Sequence, residues 1–273
     1  MKKLVFSDID GTLLDPNHQV TVAAKQVIGQ LTAQEVKVVL ASARSPKAMI
    51  DIATASGLTT PLVCFNGALI TQAVGEKFVD LYSLTLERLD TLLLYQLLSK
   101  EFPTLSVNLY SQDRWLVAAI DPWVQQEADI TGIQPEVVDL KLFLKDYHPI
   151  HKILCMGDPA EIQRLSLELE AADMLGIDFY PSKDTYMEIV NNQVSKLAAL
   201  CHLCEAYNCS LAETIAIGDN YNDMPMIQHA GIGIAMGNSP EEVKQIADEI
   251  APANSEEGFS RGLAKCFGLA YNE

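Results

Sequence analysis

Residues 4–12 read LVFSDIDGT, and this stretch decides the fold. Its apolar run ends abruptly at Ser7 and Asp8, and Asp10 follows after one more residue. An apolar run without polar alternation is typical of a strand that a parallel sheet buries on both faces. In extended backbone the side chains of Asp8 and Asp10 point the same way, and Gly11 permits a sharp turn after them. A plain turn is the alternative, since Asp and Gly are common turn residues.

Four more apolar runs end in small or polar residues in the same way. They cover residues 36–40, 61–65, 214–217 and 232–235. Amphipathic stretches between them, such as 21–31 and 241–250, predict helices. Strands that alternate with helices indicate an α/β fold with a Rossmann-like, doubly wound parallel sheet. Ligands bind at the carboxyl ends of such strands, so we expect the polar residues after each run to meet at one edge of the sheet.

The middle of the chain follows a different pattern. The predicted elements are a helix at 85–101, two strands separated by a turn at 111–113, a helical stretch near 122–131, a strand at 152–156, a helix near 159–172 and a last pair of strands. Strand pairs with helices on one side indicate an α+β unit with an antiparallel sheet. We therefore expect a core formed by residues 1–84 and 186–273, with an inserted unit formed by residues 85–185.

The composition argues against several classes of function. The 273 residues carry a formal net charge of −17. Nucleic acids and anionic membrane surfaces are bound through clustered Lys and Arg, so neither is an expected partner. No apolar run approaches the roughly 18 residues of a membrane-spanning helix, and the run that Asp8 interrupts is too short for a secretory signal, so we expect a cytoplasmic location. An acidic protein that handles anionic substrates needs a locally positive site, and a divalent cation supplies one.

The six cysteines are scattered along the chain, which indicates reduced thiols rather than a disulfide framework. Cys201 and Cys204 form a CxxC pair, and Cys209 lies nearby. A metal or redox site is one interpretation, but the sequence has no second CxxC to complete a tetrahedral zinc site. Residues 196–207 have helical periodicity, so we favour two cysteines on one face of a helix.

Two basic or hydroxyl-bearing segments add to the predicted sheet edge. Ser42 follows a strand, with Arg44 two residues later, and its hydroxyl can donate to a phosphate oxygen. A helix cap is an equally good interpretation of a lone serine at that place. Lys196 opens a predicted helix and can neutralise an anion in the crevice, although most lysines are simply solvated.

The run GDNYND at residues 218–223 supplies several oxygen ligands directly after a strand. Magnesium ions take carboxylate oxygens, substrate phosphate and water as ligands. Asp219, together with Asp8 and Asp10, would make such a site. The alternative is a polar loop whose last residues cap a helix.

Together these segments resemble the four motifs of the haloacid dehalogenase superfamily, in the same order. The matching residues are DIDGTLL at 8–14, the strand end at Ser42, Lys196, and GDNYND at 218–223. Three further stretches resemble the Cof-type, sugar-phosphatase-like branch of that superfamily: Asn66-Gly67-Ala68, Glu188-Ile189 and Ala235-Met236-Gly237-Asn238. That branch carries an inserted α/β cap between its second and third motifs, which fits residues 85–185. The resemblance covers essentially the whole chain.

The resemblance implies a Mg²⁺-dependent phosphatase of small phosphorylated metabolites, with sugar phosphates as the best guess. Asp8 would attack phosphorus and become an aspartyl phosphate. Asp10 would give a proton to the leaving oxygen and later take one from the attacking water. The metal ligands would be the Asp8 carboxylate, the Asp10 backbone carbonyl and Asp219, and Lys196 would help to neutralise the phosphate.

The resemblance also implies supporting roles for four residues. Ser42 and Asn222 would hold the transferring phosphoryl oxygens. Arg44 and Asp223 would support the groups that touch substrate, Asp223 by orienting Lys196 or a metal-bound water.

The chain departs from the pattern of the branch at two positions. Ala43 and Leu197 stand where glycines are usual, and they add bulk near the predicted phosphate pocket. In the inserted unit the polar candidates for substrate contacts are Asn108, Arg114, His151 and Lys183, each of which is more often a surface residue in such a position.

Two rival functions stay open at this point. Phosphosugar mutases share this type of core and cap, and they differ in releasing an isomerised sugar phosphate. A non-catalytic sensor of phosphorylated ligands would keep the anion site and lose a reactive group. The two aspartates of the first motif, the lysine and the acids of the fourth motif are all present here, which favours an enzyme. The sequence does not indicate the oligomeric state.

Overall fold

The computed structural model describes residues 2–172 and 174–269, which form two compact units. The first unit comprises the residues up to 44, residues 49–81 and the residues from 195 onward; the second comprises residues 45–48 and 82–194. Met1, Asp173 and residues 270–273, which the predicted domain ranges include, lie outside the described residues.

The strands and helices are numbered in chain order. The strands are β1 (Leu4–Ser7), β2 (Lys37–Ala41), β3 (Leu62–Cys64), β4 (Leu69–Val74), β5 (Lys77–Ser83), β6 (Ser106–Ser111), β7 (Arg114–Val117), β8 (Glu136–Val137), β9 (Lys152–Met156), β10 (Ile177–Lys183), β11 (Tyr186–Asn191), β12 (Thr214–Gly218), β13 (Gly233–Ala235) and β14 (Glu249–Ile250). The helices are α1 (Val22–Ala33), α2 (Pro46–Ala55), α3 (Arg88–Glu101), α4 (Pro122–Thr131), α5 (Leu140–Phe143), α6 (Pro159–Ala172), α7 (Lys196–Ala206), α8 (Met224–His229), α9 (Glu241–Gln245) and α10 (Gly258–Phe267). No helix among the described residues is long and apolar enough to cross a membrane.

The first unit is built on an eight-stranded sheet in the order β14-β13-β12-β1-β2-β3-β4-β5. The strands from β14 to β3 are parallel, and β4 runs antiparallel to β3. The chain moves outward from β1 in both directions, so the strand order reverses at β1. Ligands of open α/β sheets bind at such a reversal, outside the carboxyl ends of the strands. The predicted doubly wound core is confirmed.

Strand β1 is buried on both faces of this sheet. Leu4, Val5 and Phe6 have no exposed surface, which explains why the run lacks polar alternation. Around the sheet α1 packs against α10, and α7 packs against α8. The five apolar runs read from the sequence correspond to β1, β2, β3, β12 and β13.

The second unit carries a six-stranded sheet in the order β10-β11-β9-β6-β7-β8. All its described pairings are antiparallel except the one between β7 and β8. Apolar side chains of one sheet face, such as Leu109 and Ile153, join Leu94 of α3 and Leu165 of α6 in a buried cluster. This is the α+β arrangement that the sequence predicts.

Several boundaries differ from the expectation. The second unit begins at residue 82 rather than 85, and it includes residues 45–48. Strand β11 pairs with both β9 and β10, so residues 186–194 belong to the second unit and not to the first. The helix expected over 241–250 ends at Gln245. Asp248 binds Gly233 through both its backbone N–H and its side chain, at 2.9 and 2.8 Å, which draws the following residues alongside β13 as β14.

Candidate active site

Asp8 lies at the carboxyl end of the central strand. Its N–H donates to the carbonyl oxygen of Ile217 at 3.0 Å, which extends the pairing of β1 with β12 by one residue. The chain then leaves the strand through the turn Ile9–Leu13, where Gly11 has a φ of 79°. The Asp8 side chain is therefore held by the sheet on one side and by a tight turn on the other, and it is 6% exposed.

Lys196 brings the third motif to this carboxylate. It is the first residue of α7, whose cap Ser195 accepts a hydrogen bond from the Ala198 N–H at 3.0 Å. The buried Nζ donates to Asp8 Oδ1 at 2.5 Å and to Asp223 Oδ1 at 2.6 Å. Burial alone lowers the pKa of Lys196, but the carboxylates of Asp223 and Asp8 outweigh it and raise that pKa above its ordinary value. The ammonium is thus a permanent charge that links two loops.

The loop after β12 places Asp219 and Asp223. Asp223 Oδ2 accepts hydrogen bonds from the N–H groups of Asp219 and Asn220 at 3.0 and 3.1 Å. A side chain at Gly218 would lie 2.5 Å from the Asp223 side chain, so glycine is required for this tight loop. Asp223 accepts three hydrogen bonds in all, and its role here is to fix the loop and Lys196.

The Asp219 carboxylate is fixed from two sides. Thr12 Oγ1 donates to its Oδ1 at 3.2 Å, and Asn238 Nδ2 donates to its Oδ2 at 3.3 Å. Asn238 Nδ2 also donates to the Gly11 carbonyl oxygen at 2.9 Å. The loops after β1, β12 and β13 are therefore joined around Asp219.

Three carboxylates gather at this place with one buried ammonium between them. Asp8, Asp219 and Asp223 each offer an oxygen within 4.8 Å of the others. Burial raises the pKa of Asp8 well above its ordinary range, and Asp223 and Asp219 add to the effect while Lys196 opposes it. Burial and then Asp223 raise the pKa of Asp219 to about 6. Such an excess of buried negative charge is stabilised by a cation with oxygen ligands.

Asp10 is not one of the three carboxylates of this group. Its carboxylate is 44% exposed and is held by the Arg44 guanidinium, with Nε to Oδ2 at 2.8 Å and Nη2 to Oδ1 at 2.7 Å. His18 Nδ1 lies 3.9 Å from Oδ1. The strand ends at Ser7 and Asp10 belongs to the turn, so the side-chain alternation of a regular strand does not extend to Asp10.

Ser42 and Asn222 lie in the loops that follow β2 and β12. Ser42 follows β2 and is 3% exposed; its N–H donates to Val63 O at 2.9 Å, and its Oγ accepts from the Arg44 N–H at 3.3 Å. Asn222 lies in the loop after β12, and its Nδ2 donates to Asn66 Oδ1 at 3.1 Å. Both lie on loops at the carboxyl edge of the sheet.

Comparison with known proteins identifies the family to which this chain belongs. The sequence profile of haloacid dehalogenase-like hydrolases matches residues 5–263, which span both units. The chain belongs to the haloacid dehalogenase-like hydrolase family. Membership confirms the family and the hydrolase class that the sequence motifs indicate.

Individual members of the family are similar over nearly the whole chain. A putative phosphatase from Haemophilus influenzae is 32% identical over 268 residues, covering 98% of this chain and 99% of its own. An HMP-PP phosphatase from Citrobacter koseri is 27% identical over 240 residues, covering 88% of this chain and 85% of its own. The crystal structure of a haloacid dehalogenase-like hydrolase from Bacteroides thetaiotaomicron has a TM-score of 0.87 at 27% identity, covering 98% of this chain and 100% of that one.

Ala43 and Leu197, which replace the usual glycines, cause no backbone strain in this hydrolase. Ala43 and Leu197 are both absent from the described residues with positive φ. Leu197 lies within the first turn of α7. Neither position has a left-handed backbone, so alanine and leucine fit there without the strain that would require glycine.

Sequence reasoning assigned no role to three polar residues that contact the site. Thr12 and Asn238 bind Asp219, and Asn66 binds Asn222. Asn66 and Asn238 lie in stretches that carry the resemblance to the Cof-type branch, so a signal was present. The sequence could not say which atoms they would bind, because each partner comes from a loop that is distant along the chain.

Two of the four candidates in the inserted unit are fully buried, so the expectation of surface positions is wrong for them. Asn108 donates to the carbonyl oxygen of Leu154 at 3.2 Å and accepts from Trp115 Nε1 at 2.9 Å. His151 Nδ1 accepts from the Gln112 N–H at 3.1 Å. These bonds hold the second unit together.

The other two candidates make contacts nearer the surface. Arg114 forms a forked ion pair with Glu136, whose shortest N–O distance is 2.7 Å. Lys183 Nζ lies 4.1 Å from the centre of the Tyr186 ring. Neither contact indicates a substrate site.

The buried ion pairs of Lys196 predict a large effect on stability. Replacing Lys196 with Met leaves Asp8 and Asp223 without their shared cation, and we expect the free energy of unfolding to fall by about 3–5 kcal/mol. Urea denaturation of the metal-free protein at pH 7 measures it. The matched control is Lys244→Met, which removes a surface pair with Glu241 at 3.2 Å and should cost about 0–1 kcal/mol. Equal losses in the two variants would contradict the assigned role of Lys196.

Proposed function

We propose that this chain is a Mg²⁺-dependent phosphatase of small phosphorylated metabolites, and that it works through an aspartyl phosphate on Asp8. The observation that supports the proposal is the group of three carboxylates around Lys196 at the reversal point of the sheet, in which Asp8 and Asp223 are buried and Asp219 is half-buried. The phosphatase names of its relatives in Haemophilus influenzae and Citrobacter koseri support the same reaction class. Sugar phosphates are the first class of substrate to test.

The carboxylates fit a hard divalent cation. Burial opposes ionisation of Asp8, and a nucleophilic carboxylate must be ionised, so the site needs more positive charge than Lys196 supplies. Asp8 and Asp219 are the carboxylates that would hold Mg²⁺, because the oxygens of Asp223 are already engaged by Lys196 and two N–H groups. Mg²⁺ would keep the carboxylates ionised and draw negative charge away from the phosphoryl oxygens.

The protein residues would carry the two chemical steps. In the first, an Asp8 oxygen forms a bond to phosphorus while the bond from phosphorus to the leaving oxygen breaks, and Asp10 gives that oxygen a proton. In the second, water attacks the phosphorus of the aspartyl phosphate, Asp10 takes a proton from it, and the Asp8 carboxylate leaves. Lys196 stabilises the negative charge in both steps.

The remaining residues of the site would hold these groups in place. Ser42 and Asn222 would donate hydrogen bonds to the phosphoryl oxygens. Arg44 engages both oxygens of Asp10 in this structure, so the proposed acid role requires Asp10 to release one of these bonds when substrate binds. Asp223 orients Lys196.

Loss of the nucleophile tests the proposal. Asp8→Asn is expected to lower kcat for p-nitrophenyl phosphate with Mg²⁺ by more than about 10³-fold, as for other covalent nucleophiles. The control Asp51→Asn changes an exposed aspartate on α2 and should leave kcat unchanged. Undiminished turnover by Asp8→Asn would contradict the assignment.

With hexose phosphates, release of free phosphate identifies the phosphatase, and an isomerised sugar phosphate without release identifies a mutase.

Removal of one metal ligand separates binding from turnover. Wild-type protein should gain thermal stability from millimolar Mg²⁺, because a ligand that binds only the folded state stabilises it. Asp219→Asn should unfold at a higher temperature than wild type without metal, since it relieves buried repulsion, and should gain nothing from Mg²⁺. Asp51→Asn should respond like wild type. A full response to Mg²⁺ by Asp219→Asn would show that the ion binds elsewhere.

A further inference from the structure

The turn that follows β3 has an unusual backbone. Phe65, Asn66 and Gly67 have φ values of 51°, 56° and 111°, so three successive residues are in the left-handed region. Only glycine adopts that region freely, and asparagine tolerates it better than phenylalanine does. All three residues are buried. Such a conformation persists only where its surroundings determine it, and it is typical of functional sites.

The backbone of this turn is fixed by two other loops. The Phe65 N–H donates to Arg44 O at 3.1 Å, and the Asn66 N–H donates to Ser42 O at 2.8 Å. On the other side, a Cβ at Gly67 would lie 2.5 Å from Ser195 O, so the turn packs directly against the residue that caps α7. The turn therefore sets the spacing between the Ser42 loop and the start of the Lys196 helix.

The side chain of Asn66 reaches a third loop. Asn66 is 7% exposed as a residue, and its Oδ1 accepts the hydrogen bond from Asn222 Nδ2. Asn222 itself is exposed, so its amide has a buried, fixed partner on one side and an accessible side. A hydrogen bond to this buried acceptor restricts the orientation of the Asn222 amide.

We propose that Asn66 is a positioning residue for the phosphoryl group, acting through Asn222. The inference rests on the proposed function, in which Asn222 donates to a phosphoryl oxygen. Asn66 Oδ1 accepts one N–H of the Asn222 amide. This hydrogen bond directs the other N–H of the amide toward the phosphoryl oxygen. A neutral amide suits this place, because a carboxylate there would accept the same bond but repel the phosphate. The left-handed turn that carries Asn66 is bonded to the Ser42 loop on its backbone side and to Asn222 through its side chain.

A double-mutant cycle on Asn66 and Asn222 tests this coupling. Asn66→Gly removes the side chain and keeps the left-handed backbone, and Asn222→Ala removes the amide that it holds. The readouts are kcat/KM for p-nitrophenyl phosphate and the Kd for inorganic phosphate, measured by calorimetry with Mg²⁺. Asn222→Ala should lower kcat/KM by about 10- to 100-fold, as for a lost hydrogen bond to a charged group. Asn66→Gly should lower it by about tenfold through misplacement.

The double variant decides the question. We expect it to lie within about twofold of Asn222→Ala in both readouts, because Asn66 has nothing left to position. Losses that multiply, or a folded Asn66→Gly with wild-type kcat/KM and Kd, would overturn the inference. The matched control is Asn208→Gly, at another left-handed asparagine that lies beyond the end of α7 with a φ of 50°, and it should change neither readout.

The outcomes also separate this inference from the proposed function. If no variant turns over any phosphomonoester but the phosphate Kd values show the non-additive pattern, the inference stands and the phosphatase proposal fails. If wild type turns over and the losses multiply, only the inference fails. If Asn66→Gly does not fold, the same cycle with Asn66→Ser, which keeps a shorter acceptor, decides between the same two outcomes.

Discussion

The buried ammonium of Lys196 is the interaction on which the site depends. A lysine with no exposed side-chain surface is stable only when its charge is paired, and here Asp8 and Asp223 do so at 2.5 and 2.6 Å. These partners come from the loops after β1 and β12, so the pairing forces both loops and the start of α7 together. The parallel pairing of β1 with β12 already places their carboxyl ends side by side.

The same group is poorly balanced in charge, and this is where stability and function oppose each other. Burial and the neighbouring carboxylates raise the pKa of Asp8 and of Asp219. Keeping these carboxylates ionised without a bound cation therefore lowers the stability of the folded protein. Functional sites commonly keep such a cost because the reaction needs the charge. In the proposed phosphatase reaction the excess negative charge attracts the metal ion, and the fixed ammonium remains for the phosphate.

Much of this could be read from the sequence because strands and their ends carry a clear pattern. Asp8, Ser42 and Asp219 follow buried parallel strands, whose carboxyl ends meet at one edge of the sheet. Lys196 opens α7 after a strand of the other sheet, so the resemblance of its motif is what places it there. The side-chain partners were not predictable. Asp10 leaves the strand and binds Arg44, and Asn66 meets Asn222 only because Phe65 and Asn66 adopt a backbone that residue propensity disfavours. The end of the second unit at residue 194 differs from the expected 185. The buried strand β11 has an apolar pattern that fits a strand of either sheet.

The most direct test of the account is a crystal structure with Mg²⁺ and beryllium trifluoride, which mimics a phosphoryl group bonded to a carboxylate. The account predicts beryllium bonded to an oxygen of Asp8, the metal ion between Asp8 and Asp219, and fluorines within hydrogen-bond distance of Lys196, Ser42 and Asn222. Beryllium on another side chain, or a metal ion bound away from Asp219, would contradict it.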